Sequence, residues 1–185
     1  PIADAVTYRF VSDATTRVAD LLSGNAQLIV GVPVDQAASI ENNGAIALHE
    51  AVSGSAFVRI ANGVEPLGDQ QVRIAMNLAV DVPSIIDALL DGNGSPLANL
   101  FVPSSIGYDA NLEPYAYDLD QAKALLQAAG PGGGFSTTMD VSASERLDIA
   151  QAVAAQLGEA GIDVGVSQKE LAVFNAHDQW SGEAK

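Results

Sequence analysis

The 185-residue chain contains no cysteine. That excludes structural disulfides, thiolate metal sites and a cysteine nucleophile. Cations are scarce: eight Lys and Arg stand against 23 Asp and Glu, for a net charge of −15. Nucleic acid and anionic membrane surfaces are attracted by cationic side chains, so neither is expected as a partner. No apolar run approaches the ~20 residues that a membrane-spanning helix needs. The chain starts at Pro1, with no initiator Met, no cationic-apolar leader and no lipid-attachment cysteine. Enzyme signatures are missing as well. There is no G-x-S-x-G, no G-x-x-x-x-G-K-[ST] and no H-E-x-x-H, and nothing supplies a nucleophile–base pair. The two histidines, His49 and His177, have no carboxylate at ligand spacing, so neither a metal nor a cofactor is expected.

What is present suffices for a core. Hydrophobic residues make up 48% of the chain, enough for one ordinary domain or two small ones. Val6, Tyr8 and Phe10 alternate with polar residues, which predicts a half-buried strand. Asp13 then N-caps a helix through Leu22, with Gly24 just beyond it, and Leu28 to Val30 reads as a short buried strand. Val34 to Ile40 predicts a helix; 45–52 and 56–61 predict strands. Val72, Ala75, Met76 and Ala79 form one apolar stripe on a helix over 69–80. A second helix over 83–91 is capped by Asp81, has Pro83 in its first turn and ends at Gly92. Residues 93–117 form a long surface connection. Asp118 with Gln121 resembles a capping box for a helix ending at Gly130-Pro131. Phe135 to Val141, a helix from about Glu145 to Leu157, and Ile162 to Val166 predict a parallel βαβ unit. A last helix begins at Leu171 and runs to Trp180.

Three passages recur in a fixed order. The first is Pro66-Leu67-Gly68-Asp69 with Val72-Arg73, continuing to Val80-Asp81 and Ile85-Ile86. The second is Gly107-Tyr108-Asp109. The third is Tyr117-Asp118 with Ala122-Lys123-Ala124-Leu125-Leu126 and Ala129-Gly130. Together they resemble the oligopeptide/dipeptide/nickel class, family 5, of bacterial extracellular solute-binding proteins. Asp13-Ala14-Thr15-Thr16-Arg17 and Leu22-Ser23-Gly24-Asn25 match a further passage of that family, although Asn25-Ala26-Gln27 replaces its usual acidic residue, aliphatic and Asp.

The resemblance implies an α/β fold: the C-terminal lobe of a two-lobed, Venus-flytrap, periplasmic-binding-protein-like structure. Residues 1–50 would be a βαβ remnant of the first lobe plus the crossover, and 51–185 the second lobe, truncated at its end. The implied function is extracytoplasmic capture of a solute, in the first place a peptide, by lobe closure, and delivery to the permease subunits of an ABC transporter. Membrane attachment would run only through an N-terminal lipoprotein anchor outside this sequence. The chain is expected to be a fragment. The opposite cleft wall, and the acidic residue that holds a peptide's amino terminus, would lie beyond it. The alternatives are a stand-alone α/β interaction module and a small α/β enzyme of unrecognised type.

Two sets of residues are candidates for solute contact. Ser55, Phe57 and Arg59 fall on one face by alternation. An aromatic beside a cation suits peptide planes and a terminal carboxylate. The alternative places Phe57 in the core and leaves Arg59 as a solvated edge charge. Ser144 and Arg146 lie in the turn between a strand end and a helix, where α/β sheets bind ligands. Their alternative is an ordinary N-cap, Ser144, beside an ordinary surface residue. Arg73 sits about 100° off its helix's apolar stripe. It is expected to tie that helix to a neighbouring element and not to touch solute.

Overall fold

The computed structural model describes residues 4–44, 46–49, 54–129 and 134–178. The chain divides into two compact units, Pro1–Ala51 and Val52–Lys185.

The first unit contains α1 (Ala14–Leu22) and α2 (Val34–Glu41). Asp13 starts α1 as expected: its carboxylate accepts from the Thr16 amide at 2.7 Å and the Thr16 hydroxyl at 2.6 Å. Those two donors hold the Asp13 carboxyl below the usual carboxylate range. Gly24 ends the turn beyond α1 at φ +78°, a conformation that a Cβ would strain. Arg17 reaches back from α1 to the carbonyls of Val11 (2.8 Å) and Ser12 (3.0 Å) and across to that of Gly31 (2.9 Å). One guanidinium thus lashes the entry to α1 to the entry to α2. Val18 and Ile40 are buried.

The two strands expected here do not form. Residues 5–13 and 28–29 carry no ladder, and Phe10 is 98% and Leu28 83% exposed. Period-2 alternation makes a residue ready to cover a sheet, yet a strand exists only where a second backbone accepts its hydrogen bonds. No described segment of this unit offers one. The unit is therefore two helices with extended connections, not a βαβ. The predicted strand over 45–52 lies partly outside the described residues; 46–49 is irregular.

The second unit opens with α3 (Gln70–Leu78) and α4 (Val82–Leu90). The Asp69 carboxylate accepts from Gln71 N at 2.7 Å and that of Asp81 from Ser84 N at 3.1 Å. Both helices thus start on side chains that satisfy their free amides. Asp91 and Gly92 end α4 in left-handed conformations. In α5 (Leu119–Ala129) Asp118 caps Gln121 N at 2.8 Å. The reciprocal half of the capping box is replaced: the Asp118 amide donates to the Leu78 carbonyl at 2.9 Å, fastening the start of α5 to the end of α3. The expected end of α5 at Gly130-Pro131 lies outside the described residues.

Strands β1 (Phe135–Ser142) and β2 (Ile162–Lys169) pair in parallel, from Phe135↔Ile162 to Ser142↔Lys169, with α6 (Leu147–Glu159) as the crossover. The βαβ expectation holds here because the helix between the strands returns the chain to the starting edge. One core joins the layers: Val72, Ala75, Met76, Leu78 and Ala79 of the α3 stretch, Ala122 and Leu126 of α5, and Leu157, Ala160 and Ile162. The Asp81 amide, at the α3–α4 joint, donates to Gln156 of α6 at 2.7 Å. Beyond β2 lies α7 (Leu171–Asp178); Trp180 lies outside the described residues. The strand expected over 56–61 is absent: that segment makes no ladder and Phe57 and Val58 are exposed, although Ile60 packs on the core.

Arg73 is half-buried and donates to the carbonyls of Leu67 (3.0 Å) and Gly68 (2.7 Å). It fastens α3 to the turn before it. Arg73→Ala should therefore cost about 1–2 kcal/mol, the loss of two charge-assisted bonds to partly buried carbonyls. Thermal unfolding followed by circular dichroism should show a fall of a few degrees with solute affinity unchanged. Normal melting with lost affinity would move Arg73 into the binding site.

Candidate functional site

The segment 54–61 belongs to the second unit and has no regular secondary structure. The Ser55 hydroxyl donates to the Leu100 carbonyl at 2.7 Å, which fixes the segment beside the long connection. Phe57 is 62% exposed and Arg59 is exposed. The core alternative for Phe57 thus has no support in the geometry. An exposed phenyl with a cation two residues on offers a stacking face and donors for a carboxylate.

Ser144 and Arg146 lie where β1 gives way to α6, at the carboxyl ends of the two parallel strands. Here the helix begins later than expected. Arg146 is the N-cap residue, without a side-chain cap bond, and α6 starts at Leu147. Ser144 does not cap the helix; its hydroxyl pairs with that of buried Ser142 at 2.8 Å. The reason is backbone geometry. The Ala143 amide still bonds the Lys169 carbonyl at 2.7 Å and the Glu145 amide turns back to Ser142 at 2.9 Å, so three residues go to leaving the strand.

Arg146 is engaged from both sides. Its Nε donates to Asp148 Oδ1 at 2.8 Å, and its Nη2 donates to Asp148 Oδ2 at 2.5 Å and to the Leu89 carbonyl at the end of α4 at 3.0 Å. The Arg146 hydrogen bond holds the Asp148 carboxyl below its ordinary value, and the same bond raises Arg146. Lys169 lies 3.8 Å from Asp140 on the neighbouring strand. Charges at this edge therefore largely neutralise one another, and an anionic solute would compete with Asp148 for Arg146. Phe57 and Arg59 thus lie on an exposed segment, and Arg146 lies in a turn where Asp148 and the Leu89 carbonyl hold it.

A further set of residues was not read as a contact surface in the sequence. The connection over 93–117, whose Tyr108 and Tyr117 belong to the passages of the family resemblance but were given no contact role, exposes Phe101, Tyr108, Tyr115 and Tyr117. The Phe101 ring packs over Gly107, at φ +97°, where an added Cβ would lie 3.5 Å from the ring. The signal available was the aromatic recurrence itself, four rings in 17 positions of a loop. Among the described residues no group of three or more His, Asp or Glu could hold a metal, and no helix is long and apolar enough to cross a membrane.

A parallel βαβ unit packed on an α3–α5 layer makes the second unit an α/β fold. The chain is a member of the bacterial extracellular solute-binding proteins, family 5, whose middle-region model matches residues 1–183. The glutathione-binding protein GsiB of Escherichia coli O1:K1 is 32% identical over 99% of this chain and 36% of its own length. The DppA periplasmic binding protein of Helicobacter pylori, solved with the peptide STSA, superposes with a TM-score of 0.73 at 29% identity, covering 90% of this chain and 33% of that one. HbpA2 of Haemophilus parasuis gives 0.76 at 28%, covering 92% and 35%. The fold is that of the two-lobed family 5 periplasmic binding proteins, and the chain spans about a third of the length of these relatives. Members of this family bind solutes; they are not enzymes.

Proposed function

We propose that the protein captures a small peptide-like solute outside the cytoplasm and delivers it to the permease subunits of an ABC importer. The observation that supports this most is the match to GsiB, a glutathione-binding protein, along 99% of the chain. The solved relative DppA holds a peptide, and AppA of Bacillus subtilis, 25% identical, holds a nonapeptide. Glutathione and these peptides share planar amides and free carboxylates. Phe57 and Arg59 are the residues suited to that chemistry, the ring stacking on an amide plane and the guanidinium pairing with a carboxylate. Ser144 and Arg146 form a secondary contact that requires the Asp148 pair to open.

In this reading residues 1–50 belong to the first lobe and the crossover, and 51–185 to the second lobe. The solute is held by lobe closure, with no chemistry done on it. An N-terminal lipid anchor keeps the complete protein at the membrane. Deleting the gene should abolish uptake of labelled glutathione or of a labelled tetrapeptide, and the wild-type gene should restore it. Unchanged uptake of both would reject the peptide-like solute.

A further inference from the structure

Asp13, Asp69, Asp81 and Asp118 cap helix N-termini, but three helices also carry a carboxylate at the C-terminal end. None of α1 to α6 has a basic residue in its last turn. Instead α2 ends on Glu41, α4 is C-capped by Asp91 and α6 ends on Glu159. All three are exposed. The C-terminal end of a helix carries the negative pole of its dipole, so each of these charges is repelled by its own helix, and such repulsion is screened by salt. The wider surface adds to it. Against 23 acidic residues the sequence has lysine only at Lys123, Lys169 and Lys185. Two of the five arginines, Arg17 and Arg73, direct their described bonds to backbone carbonyls and not to carboxylates. Net charge this far from zero opposes the compact state.

We propose that the fold is built for a saline medium, with a cloud of monovalent cations taking the place that basic side chains hold at the helix ends of an ordinary protein. The counterions are not bound at one site; they neutralise a distributed field. The range over which unscreened carboxylates repel shrinks from about 30 Å at 0.01 M salt to about 3 Å at 1 M. Most of the stabilisation should therefore arrive below 1 M. This inference is independent of which solute is bound.

The test is thermal unfolding of the protein as encoded, in 0.01 to 2 M NaCl, beside the triple variant Glu41→Gln, Asp91→Asn, Glu159→Gln. Asparagine tolerates the left-handed conformation at position 91, so the fold is preserved. The wild-type Tm should rise by about 10 °C up to 1 M and level off thereafter. The variant should melt several degrees higher than wild type at 0.01 M, and the gap should close by 1 M. A wild-type Tm that is flat or falls with salt overturns the proposal. So does a variant with the same salt slope as wild type, because a general salting effect would act on both alike. A gap that persists at 1 M would also overturn it, since it would show a packing effect and not repulsion.

Discussion

Leu157→Ala is expected to destabilise the second unit by about 2–5 kcal/mol, the range for a buried leucine whose cavity closes only in part. Leu157 is 2% exposed and belongs to the cluster that joins α6 to β2, α3 and α5. Its neighbours in that cluster include Ala75, Ala122 and Ala160, which have no longer side chain to swing into the space. The site should therefore collapse poorly, placing the loss in the upper half of the range. At about 3–5 °C per kcal/mol for a unit of this size, Tm should drop by roughly 10–20 °C. Leu171, half-exposed at the start of α7, is the control: Leu171→Ala should change Tm by no more than a few degrees. Equal, small shifts for both would mean that α6 does not close the core as described.

Arg59→Ala in the complete protein is expected to weaken a carboxylate-bearing solute by about 1.5–3 kcal/mol, or roughly 10- to 150-fold in Kd. The size of the effect rests on desolvation. A guanidinium that pairs with a carboxylate while water is excluded makes strong directional bonds, whereas the same pair left in solvent is worth under about 1 kcal/mol. Phe57→Ala should weaken the same solutes by losing the stacking face, with unfolding unaffected, because Phe57 is exposed. Calorimetry on both variants distinguishes the readings. Unchanged affinity with an intact fold would return Arg59 to the role of a surface charge.

The parts of this fold legible in sequence are those decided within a few residues. Asp13, Asp81 and Asp118 each cap the helix they precede, because the bond runs to an amide three positions on; Asp69, expected inside its helix, caps it in the same way. The stripe of Val72, Ala75, Met76 and Ala79 is buried for the same local reason. Strands were harder to read. Alternation at Val6, Tyr8 and Phe10 and at 56–61, and the apolar run Leu28 to Val30, state how a residue would face a sheet, but not whether a partner exists. Phe135 and Ile162 did pair, because the intervening α6 carries the chain back to the same edge. The candidate site divides in the same way. The chemical suitability of Phe57 and Arg59 is a property of residue type. The engagement of Arg146 is not: its partner Leu89 lies 57 positions away, on the far side of two folded elements.

The most direct test of the whole account is calorimetric titration of the complete protein with glutathione, the peptide STSA and a nickel–histidine chelate. The account predicts one-to-one binding of at least one of the two peptides at micromolar Kd or tighter, reduced at least tenfold by Arg59→Ala. Binding of the chelate alone, or no heat from either peptide up to millimolar concentration in a protein that melts cooperatively, would contradict it.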